Sequence, residues 1–325
     1  MPNLKDTDFL YLTALVREKE NWLVSAEQLD RIIRTDSDLD VAKILEECGY
    51  EQVEVSDAAR LDRALGQKMT VVLQEIAARV PDMRMVDMFR VKYDYHNAKV
   101  LIKAEAADVD GDRLMSDGGR VARAVFEEDY YEGLFDSAPP ILAKAILAAR
   151  QVLKETKDAQ AADMILDRAM YQEYLDLAEV LGDAFFSGYI RLSIDGVNLR
   201  TAVRVVRMGM GPDKLIDALI PGGTVSPERV IRAANMKQLY IGTPLAAAAQ
   251  LASDVMEGGA LTAFEREIDN ARSVYMKQAR FIAFGLAPVL AYLVALEAEA
   301  EALRIVMVGR NAGLEPEAIR ERLRD

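Results

Sequence analysis

The chain is poor in the residues from which compact active centres are usually built. Its 325 residues include one cysteine, Cys48, one histidine, His96, and one tryptophan. A single cysteine forms no intrachain disulfide, which fits a reducing compartment. One cysteine and one histidine build neither a zinc site nor a Cys–His nucleophile pair. Positive charge is also short: 40 Lys and Arg against 53 Asp and Glu leave a net charge of −13. That balance disfavours nucleic acid, whose phosphates need clustered cations, and flat binding to an anionic lipid surface. No run is apolar for long enough to span a bilayer. The longest uncharged one, Phe281 to Leu296, is broken by Pro288 and followed by Glu297, Glu299 and Glu301, so it reads as a buried helix. The opening residues Met1 to Asp8 lack the apolar core of a signal peptide. The expectation is a cytoplasmic chain, soluble by itself. No Gly-x-x-x-x-Gly-Lys-[Ser/Thr] loop is present, and Pro221-Gly222-Gly223-Thr224 has neither the lysine nor a preceding strand. Neither a cofactor nor direct nucleotide binding is expected.

What is present is helical signal. Leu61, Leu65, Met69, Val72, Ile76 and Val80 form one stripe, and Pro81-Asp82 ends it. Met88, Val91, Tyr95, Ala98 and Ile102 form a second, so the two segments are expected to fold back as a hairpin that buries both. The same pairing is expected for Gln160 to Leu181 with Tyr189 to Met208, where Leu192, Leu199, Val203, Val206 and Met210 share a side. It is expected again for Ala260 to Ala283 with Ala287 to Val308. Pro288 suits the first turn of the last helix, and Gly309 and Gly313 read as stop signals. Ser25 is the expected cap of an early helix. Asp108-Val109-Asp110-Gly111-Asp112 superficially resembles a calcium loop, but its glycine is misplaced and no glutamate closes it, so it reads as a solvated turn. No segment alternates as a strand does. The fold class is all-α.

The chain also repeats itself. Asp94-x-x-Asn97-x-Lys99 recurs as Asp195-x-x-Asn198-x-Arg200 and, degraded, as Glu299-x-x-Ala302-x-Arg304; the basic residues lie 101 and 104 apart. Upstream, Leu61-Asp62-Arg63-Ala64 is echoed by Leu166-Asp167-Arg168-Ala169 and faintly by Ile268-Asp269-Asn270-Ala271. The gaps from aspartate to base are 37, 33 and 35. A third echo aligns Gly111-Asp112-Arg113-Leu114-Met115 with Pro212-Asp213-Lys214-Leu215-Ile216 and Glu315-Pro316-Glu317-Ala318-Ile319. Motifs in constant order at near-constant spacing indicate one domain used three times, and the period is too long for a solenoid. The expected domains are 1–108, 109–210 and 211–325.

The acid-x-x-Asn-x-base motif has a geometric reading. Asp94 and Asn97 share a helix face, while Lys99 lies about 140° round from Asp94 and does not pair with it locally. The positions would either contact a partner or line a shared cavity, or else pair charges between helices, holding each unit to itself or to its neighbour. Threefold use favours the second reading, since a scaffold needs the same joint three times. Asp94 and His96 sketch an acid–base pair, but residues two apart on a helix point away from each other. His96 is read as a half-buried helix residue.

These residues carry a family resemblance. Lys92-Tyr93-Asp94-Tyr95-His96-Asn97-Ala98-Lys99, the C-terminal set Gly285, Pro288, Tyr292, Glu297, Glu299, Arg304, Gly309, Gly313 and Leu314, and the opening Tyr11 to Tyr50 resemble the C subunits of the V/A-type ATPases and ATP synthases. These are the counterparts of the d subunit in vacuolar ATPases. The likeness spans essentially the whole chain. Leu296 departs from it where a basic residue is usual, and Ala302 where a polar one is common. The resemblance implies three similar helical domains in a pseudo-threefold funnel. It implies a non-catalytic rotor part, monomeric when isolated, seated between the central axle, made of the D and F subunits, and the membrane's proteolipid ring. The chain would then be peripheral to the membrane through that ring. Two other readings stand beside it: an all-helical hydrolase using Asp and Glu, and a free-standing soluble adaptor. Either would stay in the supernatant when membranes are fractionated.

Overall fold

The computed structural model describes residues 5–323 apart from 52, 56, 210 and 234, so Met210 lies outside the described residues. Among these residues the regular elements are all helical. In chain order they are α1 (Leu10–Lys19), α2 (Ala26–Arg34), α3 (Asp38–Glu47), α4 (Ala58–Ala77), α5 (Arg84–Ala107), α6 (Arg123–Glu132), α7 (Pro140–Thr156) and α8 (Ala159–Leu181). There follow α9 (Ala184–Arg207), α10 (Pro212–Ala218), α11 (Pro227–Arg232), α12 (Met236–Leu239), α13 (Ala246–Met256), α14 (Leu261–Lys277), α15 (Leu286–Asn311) and α16 (Pro316–Arg320). Local chemistry sets the starts. The Ser25 hydroxyl accepts from the Gln28 N–H while the Gln28 side chain accepts from the Ser25 N–H, a reciprocal cap. Ser37 caps α3 through the Asp40 N–H. Asp158 and Asp183 do the same for α8 and α9.

The chain divides into two compact units. One takes in residues up to Met83 and again from Ser273; the other runs from Arg84 to Arg272. In the first, Ile32 and Ile33 of α2, Val41, Ile44 and Leu45 of α3 and Leu61 and Leu65 of α4 share a core with Leu303, Val306 and Met307 of α15 and Ile319 of α16. In the second, Val91, Tyr95, Ala98, Leu101 and Ile102 of α5 pack with Phe126 and Tyr130 of α6, Leu142, Ile146 and Leu153 of α7 and Leu166 of α8.

Each stripe of the expected first hairpin has partners within its own unit: Leu61 and Leu65 of α4 pack with α15, and Val91, Tyr95, Ala98 and Ile102 of α5 pack with α7 and α8. Periodicity says which face of a helix is apolar, not which partner covers it. The second long helix of each repeat is also less one-sided than a stripe. In α9, Leu192, Ser193, Ile194, Asp195, Gly196, Asn198 and Leu199 are all buried, so the helix is enclosed on most sides. Val206, placed in its stripe, is instead 46% exposed, and Val205 is the buried neighbour. Gly309 does not stop α15, which runs on to Asn311. A Cβ there would lie 2.8 Å from Ile319 Cγ1, so its lack of a side chain lets α16 approach. The chain turns away just past the helix at Gly313, in the left-handed region at φ 66°. No helix among the described residues is long and apolar enough to cross a membrane.

Candidate functional site: three repeated polar seams

Helices enclosed on most sides cannot carry stray polar groups, because an unpaired buried polar atom costs about 1–3 kcal/mol. Yet α5, α9 and α15 each bury polar side chains at the repeated motif. Asp94, Asn97 and Asn198 are fully buried, Asp195 is 3% exposed and Glu299 is 9% exposed. Each has a partner. Asn97 donates through Nδ2 to the Ser116 carbonyl at 2.9 Å and accepts the Ser116 N–H at 2.7 Å. Asn198 makes the same pair with Ile220, at 2.7 and 2.8 Å. Asp94 accepts the Arg120 N–H at 2.9 Å and Arg120 Nε at 2.6 Å. Asp195 accepts the N–H groups of Thr224 and Val225 at 3.1 and 3.0 Å. In the first place the acid and the amide pin the loop that follows α5, and in the second the loop that follows α10.

A glycine lets the loop approach. A Cβ on Gly119 would lie 2.3 Å from Asp94 Oδ1, and one on Gly223 2.2 Å from Asp195 Oδ1. Gly118-Gly119 and Gly222-Gly223 stand 104 residues apart, close to the 101 that separates Asp94 from Asp195. That repeat was visible in the sequence and marks the loop that the acid holds. In the third repeat Glu299 accepts from the Val24 N–H, the Tyr50 hydroxyl and Lys68 Nζ, the last at 2.9 Å. Ala302 supplies no counterpart to the asparagine.

The basic positions reach the other way. Lys99 Nζ lies 2.6 Å from Asp167 Oδ1, Arg200 Nη2 3.4 Å from Asp269 Oδ1, and Arg304 Nε 2.6 Å from Asp62 Oδ1. The acids are the three aspartates of the second motif. The pairing is cyclic in repeat order: first to second, second to third, third to first. One helical turn on, Lys103–Asp163 and Arg204–Glu265 add second rungs at 2.7 and 2.6 Å. The corresponding place on α15 holds Val308, 61% exposed.

Two further groups complete the first seam without having been singled out from sequence. Arg120 bridges Asp94 and Glu173, and the Tyr95 hydroxyl donates to Glu173 at 3.0 Å. Burial pushes the Asp94 carboxyl above its usual range, opposed by the hydrogen bond and charge of Arg120. Burial raises Asp195 likewise, opposed by the Val225 and Thr224 N–H groups. The Tyr95 and Tyr50 phenols are driven up by burial and then by the charges of Glu173 and Glu299, so both stay protonated and donate. His96 is exposed rather than half-buried, with Nε2 2.9 Å from the Leu114 carbonyl oxygen. No group of three or more His, Cys, Asp or Glu side chains among the described residues is placed to hold a metal ion.

The sequence profile of the ATP synthase (C/AC39) subunit family matches residues 12–322. The chain belongs to that family. Its members include the V/A-type ATPase and ATP synthase C subunits, and the relatives align end to end. The C subunit of the V-type sodium ATPase of Enterococcus hirae is 26% identical over 322 residues, covering 96% of this chain and 97% of that one. The C subunit of the A-type ATP synthase of Haloferax volcanii is 25% identical, covering 96% of each. The C subunit of the V-type ATP synthase of Thermus thermophilus is 26% identical, covering 94% of each. Leu296 is 2% exposed in the core and Ala302 is half-buried.

Proposed function

We propose that this chain is the non-catalytic socket of a V/A-type rotary machine. It joins the central axle, made of the D and F subunits, to the proteolipid ring and passes torque between them. The observation that carries the reading on this chain is the cyclic order Lys99–Asp167, Arg200–Asp269, Arg304–Asp62. Each repeat grips the next and the last grips the first, as a part built on a pseudo-threefold axis requires. The repeats 1–108, 109–210 and 211–325 are then three similar helical domains forming a funnel. The two compact units cut across these borders because every seam joins consecutive repeats. Close-packed helices resist compression and transmit strain, and three equivalent seams spread a twisting load better than one. The repeated polar residues are engaged within the chain, which suits a mechanical part better than a hydrolase. The test is deletion of the chain. The catalytic head should go on hydrolysing ATP while ATP-driven ion transport into vesicles disappears. Loss of hydrolysis by an otherwise assembled head, or transport that survives, refutes the reading.

A further inference from the structure

A cleft opens between α7 and α8 and is walled on a third side by the loop that follows α10. Its volume is about 430 Å³, within the range of small-molecule sites. Ile141 of α7, Ile165 and Ala169 of α8, and Ile220 and Pro221 of the loop give it an apolar lining. The walls are preformed. Leu142, Ile146 and Leu166 seat α7 and α8 in the core. Asn198 holds the Ile220 carbonyl and N–H at 2.7 and 2.8 Å, and Pro221 has a fixed φ. A site that needs no ordering loses less affinity to entropy.

The polar residues of the lining are Lys144, Arg168 and Gln172, and no Asp or Glu among the described residues joins them. Arg168 is fixed in place: Nη2 donates to the carbonyls of Ile216, Asp217 and Leu219 at 3.2, 2.7 and 3.0 Å, and Nε to that of Leu219 at 3.3 Å. Carbonyls orient the guanidinium without neutralising it, and Nη1 has no partner among the described residues. The neighbouring acid, Asp167, is engaged by Lys99 at 2.6 Å. Gln172 spends its Nε2 on Asp176 at 2.8 Å. A lone surface cation means little by itself. Here two share the lining of one apolar, carboxylate-free cleft, the composition of a site for an apolar body that ends in an anion.

We propose that this cleft binds a medium-chain fatty acid, with its carboxylate against Arg168 Nη1 and the Lys144 ammonium and its alkyl chain along Ile141, Ile165 and Ile220. A phosphate ester is the weaker match. Phosphate sites draw on several converging donors, backbone N–H groups among them, and here Arg168 Nε and Nη2 and the Gln172 amide are already taken. The site is independent of the socket reading and of the transport test.

The test is equilibrium dialysis of the purified full chain against radiolabelled decanoate below its micelle concentration. One molecule per chain should bind saturably, with a Kd below about 1 mM. Octanoate, two methylenes shorter, should bind about tenfold more weakly, since each buried methylene is worth roughly fourfold. 1-Decanol, which has the chain without the charge, should also bind about tenfold more weakly. Lys144→Gln should weaken decanoate by about two- to fivefold and leave the melting temperature unchanged, because Lys144 forms no hydrogen bond or ion pair among the described residues. Ala169→Met should fill the cleft and weaken binding at least tenfold; if that variant does not fold, the Lys144→Gln result decides. Uptake that does not saturate, equal affinity for 1-decanol, or unchanged affinity in Lys144→Gln would overturn the proposal. So would displacement of decanoate by inorganic phosphate as effective as by octanoate.

Discussion

Asn198 offers the sharpest measurement. Its side chain is fully buried and holds both polar groups of the Ile220 peptide, at 2.7 and 2.8 Å, and Ile220 is itself 3% exposed. Replacing Asn198 with alanine leaves a buried N–H and a buried carbonyl without partners. At about 1–3 kcal/mol for each unsatisfied group, and allowing for some relaxation toward water, the loop should lose about 2–4 kcal/mol. Native-state hydrogen exchange of the Ile220 and Val225 amides reads that loss locally and does not require the whole chain to unfold in one step. Their exchange should accelerate by about 30- to 1,000-fold, since every 1.4 kcal/mol is tenfold. Aspartate at the same place discriminates further. It keeps the acceptor for the Ile220 N–H but sets a carboxylate oxygen against the Ile220 carbonyl. Near neutral pH Asn198→Asp should therefore be worse than Asn198→Ala. Burial would raise the introduced carboxyl's folded pKa above its unfolded value. The protonated form restores the donor, so the variant should regain stability as pH falls through the folded pKa and lose it as pH rises. An alanine variant within about twofold of the parent, or an aspartate variant with no pH dependence beyond the parent's, would refute the account of this joint.

Removing Arg120 should strand Asp94 and Glu173 as buried acids; Arg120→Met is expected to destabilise by about 3–5 kcal/mol in thermal or urea unfolding, and adding Asp94→Asn should recover part of it. A double-mutant cycle on Lys99 and Asp167 should give a coupling of only about 0.5–1 kcal/mol, because both side chains are a quarter or more exposed. The more exposed Arg304–Asp62 pair should give less than Lys99–Asp167 in the same cycle. Glu105 is held below the usual carboxylate range by the hydrogen bond from Arg150, against opposing desolvation. Its contribution should be present above the unfolded pKa of about 4.3 and fade as pH falls through the lowered folded value. Glu105→Gln should flatten that part of the acid-unfolding curve.

The repeated residues were legible because their spacing is a property of the chain alone. Asp94, Asn97 and Lys99, with their counterparts Asp195, Asn198, Arg200, Glu299 and Arg304, stand out at a period of 101–104, and the aspartates 62, 167 and 269 at 105 and 102. Their partners were not legible. Nothing local says that Lys99 meets Asp167, 68 residues on, rather than an acid of its own repeat. Arg120, Glu173, Lys68 and Tyr50 were missed for the same reason: each is an ordinary polar residue until the fold sets it beside a buried acid. The paired glycines 118–119 and 222–223 were the one overlooked clue.

The sequence by itself determined the class of the protein. Helix-forming composition, stripes at helical spacing, capping residues and a motif repeated at long period all act over a few residues, where physical preference is local. It also carried the family likeness, which depends on residue order and not on contacts. Only the tertiary structure decided which stripe covers which. Apolar burial is non-directional, so the α4 stripe does not itself say that Leu61 and Leu65 pack with Leu303 and Met307 of α15. That packing brings Arg304 to Asp62 and Glu299 to Lys68. The polar seams, being directional and buried, admit only partners that complete every hydrogen bond, and that demand is met by the whole fold rather than by any stretch of it.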